Sequence, residues 1–538
     1  MPRYLFVTGG VMSGLGKGIT TSSVAKLLQL SGLKVSCLKI DPYLNFDAGT
    51  MNPYTHGEVF VTDDGGETDM DLGNYERFLN VNMTRSNNIT TGQIYKKVID
   101  EERKGRFLGK SVQIIPHITD EIKRRIRELA AAERVDILVV ECGGTVGDIE
   151  SLPFLEAFRQ MRMEEGWGRT LFMHVSLAPE LSVVGEMKTK PTQHSVQEMR
   201  RIGIQPDVAV IRGTRPLPKE AKEKISLFTS VPLGSVISDP DVASIYEVPR
   251  LLAKEGILKP VLKQLGTKSR PKMSKWNGVA RRFVGKRREV DIALIGKYAS
   301  LSDSYVSVNQ ALAHAAAAKG VRAKISWIES EELESDPSKL KLVEAQDGIV
   351  LPQGFGSRGI EGKIAAANHA RVKQIPFLGL CFGFQLATVA FARNVLGFED
   401  ANTTEVAPET RHPVIDLLPE QKNVSDLGGT MRLGGHDVFL ERPSRAYEIY
   451  RSAKIRERHR HRFEVNQKYL KAMGERGLKY SAFSDGGKRA EILELEGHPF
   501  YMGTQFHPEY VSRPERPEPI YLAFLEACAS APRRKRSS

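Results

Sequence analysis

Cysteine is scarce in this chain. Four residues, Cys37, Cys142, Cys381 and Cys528, are scattered over 538 positions with neither metal-ligand spacing nor disulfide density. That excludes a disulfide-stapled scaffold and suits a reducing cytoplasm. No apolar run approaches the ~20 residues needed to span a bilayer. Met1 to Val7 passes straight into a strand pattern without the plan of a leader peptide, so a cytoplasmic protein is expected. Aromatic residues make up only 7% of the chain, and no nucleic-acid-binding module is recognisable, so no specific nucleic-acid partner is expected. The net charge of +12 still calls for anionic ligands, and several nucleoside triphosphates would account for it. Part of that charge lies in Arg533-Arg534-Lys535-Arg536, within 531–538, which reads as a basic disordered tail. No internal repeat is present.

What is present is strand and helix in alternation. Leu5 to Val7 is apolar and is followed by a glycine-rich loop and a helical run through Ser22 to Leu30. Val35 to Ile40, Asp136 to Glu141, Thr170 to Leu177 and Asp207 to Ile211 read as further buried strands. This predicts an α/β domain with a mostly parallel sheet over 1–266. Periodicity fails over 267–289, a basic stretch with proline that reads as an interdomain linker. A second α/β pattern follows over 290–530, through Val290 to Ile295, Ala323 to Ile328, Gly348 to Leu351 and Pro376 to Leu380. The expected architecture is two doubly wound domains, P-loop-like and then flavodoxin-like.

Thr8 to Gly18 follows the first strand and opens a helix. Glycines let backbone N–H groups close on phosphate oxygens, and the helix N-terminus adds a favourable dipole. Lys17 supplies a mobile cation. The match to a phosphate loop is incomplete, since Val11 stands where the first glycine belongs and Gly18 replaces the hydroxyl residue that meets Mg²⁺. Carboxylates must then come from elsewhere, and Asp71 and Glu141 are the candidates, Glu141 because it ends an apolar strand. Lys39 ends another strand and could neutralise a transferring phosphoryl group. Lys188 and Lys190, before a helix start, could form a second anion site.

Pro376 to Gln385 reads as a nucleophile elbow. An apolar strand ends in Gly379, Cys381 follows at a helix N-terminus, and Gly383 relieves crowding. His507 and Glu509, in Gln505-Phe506-His507-Pro508-Glu509, could deprotonate the thiol and orient the base. Such a set would hydrolyse the amide of glutamine. The two motifs resemble class I glutamine amidotransferases.

Together with Gly9 to Ile19, Gly57 to Asp71, Val112 to Thr119, Gly143 to Leu155, Lys188 to Ser195, Ser425 to Gly434 and Glu457 to Asn466, they make the chain similar to the CTP synthase family over nearly its whole length. The resemblance implies ATP-dependent amination of UTP to CTP through a 4-phosphorylated intermediate, with ammonia from glutamine crossing inside the protein. It implies ATP on Ser13, Gly14, Leu15, Gly16, Lys17, Gly18, Ile19, Lys39 and Asp71, with Mg²⁺ on Asp71 and Glu141. UTP, and CTP as feedback inhibitor, would use Ser13, Asp148, Ile149, Glu150, Lys188, Thr189, Lys190, Pro191, Thr192, Gln193 and Lys224. His56 would lie near the ammonia entry. Gly354, Phe382, Gln385, Glu405 and Arg462 would hold glutamine. Arg358 and Arg432, the latter in a lid from Gly428, would respond to GTP as activator. A homotetramer is implied.

The chain departs from the family at Gln353, where a glycine is usual; a positive φ there would strain it by about 1 kcal/mol or more. Phe382 and Phe384 replace smaller residues and are expected to narrow the glutamine pocket or its exit. The segment Glu420 to Val424 looks shortened. Two other readings remain: a ligase amidating a carboxylate, which would not need Lys188 to Ser195, and a non-enzymatic nucleotide-binding scaffold, against which Cys381, His507 and Glu509 argue.

Overall fold

The structure, a computed structural model, describes residues 1–52, 56–181, 186–297, 302–421 and 428–531. The basic residues 532–538, and 422–424 of the segment that looks shortened, lie outside the described residues. The chain packs as two compact units, residues 1–48 with 71–284, and 49–70 with 285–538.

The first unit holds a seven-stranded sheet. Its strands are β1 (Arg3–Gly9), β2 (Val35–Asp41), β3 (Asn88–Thr90), β4 (Ile137–Cys142), β5 (Thr170–Leu177), β6 (Val208–Gly213) and β7 (Val236–Pro240). They lie in the order β7-β6-β5-β1-β4-β2-β3, with every pairing parallel. β2 and β4 are buried throughout, as strands covered on both faces must be. Helix α1 (Lys17–Leu30) leaves the loop after β1, and α2 (Met70–Leu79) brings Asp71 to the same end of the sheet. Helix α3 (Lys190–Arg201) starts with proline in its first turn, where the missing N–H costs nothing.

The stretch expected to be a linker is largely built into this unit. Helix α4 (Ser274–Arg281) buries Trp276 completely, among Phe78 and Tyr246. The Trp276 indole donates to Tyr246 O at 3.1 Å, and the Lys26 ammonium sits 4.9 Å from the ring centre. The break between the units falls after Val284. The basic residues read as solvated linker thus flank an apolar anchor whose spacing is too short to register as a periodic pattern.

The second unit carries a nine-stranded sheet of β8 (Glu289–Gly296), β9 (Arg322–Glu329), β10 (Gly348–Leu351), β11 (Phe377–Leu380), β12 (Arg432–Leu440), β13 (Lys454–His461), β14 (Leu478–Ser484), β15 (Arg489–Leu495) and β16 (Tyr501–Thr504). The order is β9-β8-β10-β11-β16-β15-β14-β12-β13. The first five strands are parallel and the last four extend the sheet antiparallel. Helix α5 (Ile360–Lys373) covers β10 and β11, and α6 (Phe382–Asn394) follows β11 directly.

Residues 49–70 complete this second unit although they precede it in sequence. Their short hairpin, Phe60–Val61 with Glu67–Thr68, is held by β13. Arg458 donates to Val61 O at 3.0 Å, Arg460 pairs with Glu67 at 2.8 Å and Arg456 with Asp63 at 3.0 Å. The Tyr510 hydroxyl donates to Val59 O at 3.0 Å.

Candidate active site

In the first unit the strand ends gather charge. At three glycines around the loop a side chain would displace a neighbouring side chain. A Cβ on Gly9 would meet Lys17 Cδ at 2.4 Å, one on Gly10 would meet Ser195 Oγ at 1.6 Å, and one on Gly18 would meet Asp71 Oδ1 at 1.8 Å. The last contact explains the missing hydroxyl residue, because Gly18 makes room for the Asp71 carboxylate against the first turn of α1. Val11 has φ 78°, a conformation unfavourable for a β-branched residue and stored at the loop itself.

Lys17 is buried and donates to Gly144 O at 2.7 Å. Burial lowers its pKa, with Glu141 opposing. Lys39 Nζ contacts Asp71 Oδ2 and lies 3.2 Å from Glu141 Oε1 and 3.9 Å from Asp41 Oδ1. The Tyr75 hydroxyl donates to the other Glu141 oxygen at 2.5 Å. Burial raises Glu141 and takes Asp41 to about 6. Burial works against ionised Asp71 too, but the charge and hydrogen bond of Lys39 override it and hold this acid low. Among the described residues no cluster of three or more His, Cys, Asp or Glu has metal-ligating geometry. Asp71 and Glu141 are instead two oxygen donors converging on one positive charge, a fit for a hard cation that also takes phosphate oxygens.

Lys17, Lys39, Asp71 and Glu141 are thus brought together as the sequence predicts. The anion segment is less assembled. Lys188 pairs with Glu186 at 2.7 Å, and Lys190 and Lys224 are exposed. Gln193 donates to Thr189 Oγ1 at 3.0 Å, and Asp148 accepts from Thr145 N at 2.7 Å. Ser13, Ile149, Glu150 and His56 face outward. Two groups escape sequence reading. His174 bridges Thr8 Oγ1 at 2.9 Å and Ser195 Oγ at 2.8 Å. Arg212 flanks Gly16 and donates to Asp239 O and Asp241 Oδ1, each at 2.7 Å. A histidine within an apolar run and an arginine at a strand end carry no motif.

In the second unit the elbow is explicit. Cys381 takes φ 50° and ψ −98°, and its N–H donates to Thr504 O on the neighbouring strand at 2.7 Å. A Cβ on Gly383 would meet Leu351 O at 2.0 Å, and one on Gly379 would meet the Gly383 carbonyl carbon at 2.8 Å. The thiol donates to Arg460 O at 3.7 Å and receives the Gln505 amide N–H at 3.6 Å. His507, just beyond β16, lies 2.7 Å through Nδ1 from Glu509 Oε1, while among the described residues Nε2 has no hydrogen-bond partner. Burial alone would depress His507, but Glu509 and Cys381 outweigh it and push the imidazole up to about 10.

A cavity of about 190 Å³ opens on Cys381, and Gly354, Phe382, Gln385, Glu405 and Arg462 all line it. Glu405 accepts from Gly356 N at 2.8 Å, Gln385 donates to Phe463 O at 2.8 Å, and Arg462 donates to Thr430 Oγ1 at 2.7 Å. Gln353 is free of strain because its φ is not in the left-handed region, and its amide reaches Glu58 Oε1 at 3.4 Å. Phe384 does not narrow the pocket, since it packs fully buried in the core beside Tyr480. Arg432 turns inward, its guanidinium donating to Glu491 and Ser484, each at 2.8 Å. Of the two effector positions only Arg358 faces outward, paired with Glu331 at 3.0 Å.

A glycine loop beside paired strand-end acids lies in one chain with a cysteine elbow and a histidine–glutamate pair, and the two families that these halves match make the chain a glutamine-dependent ligase. Residues 3–267 match the family described as CTP synthase N-terminus, and residues 300–527 match glutamine amidotransferase class-I. The chain is 54% identical over 529 residues to the CTP synthase of Pyrococcus abyssi, covering 98% of each. It is 52% identical over 532 residues to that of Saccharolobus solfataricus, covering 98% of this chain and 99% of the other. A solved glutaminase domain of a Trypanosoma brucei CTPS is 39% identical, with TM-score 0.43, covering 46% of this chain and 97% of that one. The chain belongs to the CTP synthase family.

Proposed function

We propose that this protein converts UTP to CTP, using ATP to activate the uracil O4 and glutamine to supply nitrogen. The observation that carries the reading is the buried Cys381, His507 and Glu509 set in the same chain as Lys17, Lys39, Asp71 and Glu141.

In the glutaminase half, His507 Nε2 takes the Cys381 proton while Glu509 steadies Nδ1. The sulfur adds to the carboxamide carbon and the carbonyl electron pair moves onto oxygen, facing the N–H groups of Gly354 and Phe382. Collapse expels ammonia, protonated by His507, and water then hydrolyses the thioester to glutamate. Glu405 and Arg462 suit the amino and carboxylate ends of glutamine. In the synthetase half, the uracil O4 attacks the γ-phosphorus of ATP and ADP leaves. Ammonia, arriving by an internal passage near His56, then displaces phosphate at C4. Lys17 and Lys39 suit the phosphates. Asp71 and Glu141 would hold Mg²⁺, which supplies charge neutralisation across phosphate oxygens. UTP and inhibitory CTP fit Asp148, Glu150, Lys188, Lys190 and Lys224, GTP as activator fits Arg358, and the working form is a cytoplasmic homotetramer.

The test is CTP formation from UTP, ATP and Mg²⁺, with glutamine plus GTP in one series and ammonia in the other. Turnover with both donors is expected, and turnover with neither would defeat the reading. Cys381→Ala should abolish glutamine use, at least ~1,000-fold in kcat, and spare ammonia use. Loss of both would contradict the division of labour.

A further inference from the structure

Two lysines lie buried behind the segment after β10 that edges the glutamine cavity, and neither belongs to a sequence motif. Lys363, on α5, is completely buried. Its ammonium donates to Pro352 O at 2.9 Å, and among the described residues no carboxylate is within ion-pair distance of it. Lys297, at the end of β8, is 1% exposed and donates to Phe355 O at 2.6 Å and to Gly356 O. Both stand over the ring of Phe382, the residue after the nucleophile, at 5.8 and 5.2 Å.

The two lysines grip three carbonyls of one five-residue segment, Pro352 to Gly356. Two of the three grips polarise a peptide whose N–H belongs to, or holds, a residue lining the cavity. Phe355 O is bound by Lys297, and the N–H of the same peptide, that of Gly356, holds Glu405 at 2.8 Å. Pro352 O is bound by Lys363, and the same peptide continues into the N–H of Gln353. Among the described residues the N–H groups of Gln353 and Gly354 have no acceptor.

A buried ammonium without a counter-ion is costly unless an anion forms beside it. Negative charge develops in this region on the sulfur of Cys381 and on the oxygen of the adduct it forms.

We propose that Lys363 is a positioning residue of the glutaminase, which aligns and polarises the Pro352–Gly356 segment so that its free N–H groups stabilise the adduct oxyanion, with Lys297 fixing the far end of the segment. The inference rests on the glutaminase reading above. Burial, reinforced by Lys297, drives the Lys363 pKa well below its ordinary value, and Cys381 works in the opposite direction. An anion at Cys381 and a protonated Lys363 therefore favour one another.

The experiment compares Lys363→Met and Lys363→Gln with wild type in the full chain. Glutamine kcat and KM, ammonia-driven turnover, and affinity for the γ-aldehyde of glutamate, which captures the thiolate as a tetrahedral adduct, are measured. Lys363→Met should lower glutamine kcat by about 10–100-fold, against the 10²–10³ seen for loss of a direct oxyanion donor. Aldehyde affinity should fall in parallel, KM should stay within about threefold, and ammonia turnover should hold. Lys363→Gln keeps a donor for Pro352 O without the charge, so it should fold even where Lys363→Met does not, and should remain slow. Wild-type kcat in Lys363→Gln overturns the proposal, as does a fall in ammonia turnover matching that in kcat. A wild-type protein that hydrolyses no glutamine overturns the glutaminase reading itself.

Discussion

Thr8 and Ser195 occupy both nitrogens of His174 under the phosphate loop, and the ring is fully buried. Burial, with Lys17 adding to it, takes this imidazole to about 3. An unfolded chain titrates near 6.5, so as pH falls below 6.5 the unfolded state takes up a proton that the folded state refuses. The contribution to stability is present above about 6.5 and is lost toward 3, at up to about 1.4 kcal/mol per pH unit. His174→Gln removes that linkage. In urea titrations the advantage of wild type over the variant should shrink by about 2 kcal/mol between pH 7 and pH 5, whereas a constant gap would contradict the neutral, doubly bonded ring. Gln353 teaches the complementary lesson. Its identity raises the question of strain, but only the backbone answers it, and the answer is an ordinary φ.

Among elements, the first turn of α1 shows how much of the site could be read in advance. Strand, glycine loop and helix are legible because glycine, lysine and an apolar run each have a local signature. The elbow at Cys381 is legible for the same reason, since Gly379 relieves a contact with Gly383 within a few residues of the thiol, although Gly383 itself makes room for Leu351 on another strand. Gly18 is not legible, because the atom that requires it belongs to Asp71, brought in by a separate helix. The clamp of Lys297 and Lys363 was hidden likewise, since burying a lysine against backbone carbonyls leaves no pattern in sequence. Gly18→Ser places an oxygen-bearing side chain where Asp71 stands, and should reduce CTP formation with ammonia by at least ~10-fold while leaving glutamine hydrolysis near normal. Unchanged ammonia-driven rates would mean that Asp71 need not sit against α1.

For the whole molecule, the division into two units predicts where damage stays. Trp276→Ala empties the anchor of α4 and should cost about 3–5 kcal/mol. Hydrogen exchange should quicken in α1 and over 244–283 and remain slow in β8 to β16, and loss of protection in both units alike would show that they unfold as one. The segment 49–70 carries a different consequence. It leaves the ribosome ahead of residues 71–284 of the first unit, yet Arg456, Arg458 and Arg460, which hold it, are made some four hundred residues later. At about 5–20 residues per second the segment must wait on the order of tens of seconds with its hairpin unpaired. The second unit therefore starts with a piece that cannot be seated until its own late strands exist, and the interval is a window for chaperone capture built into the order of the chain.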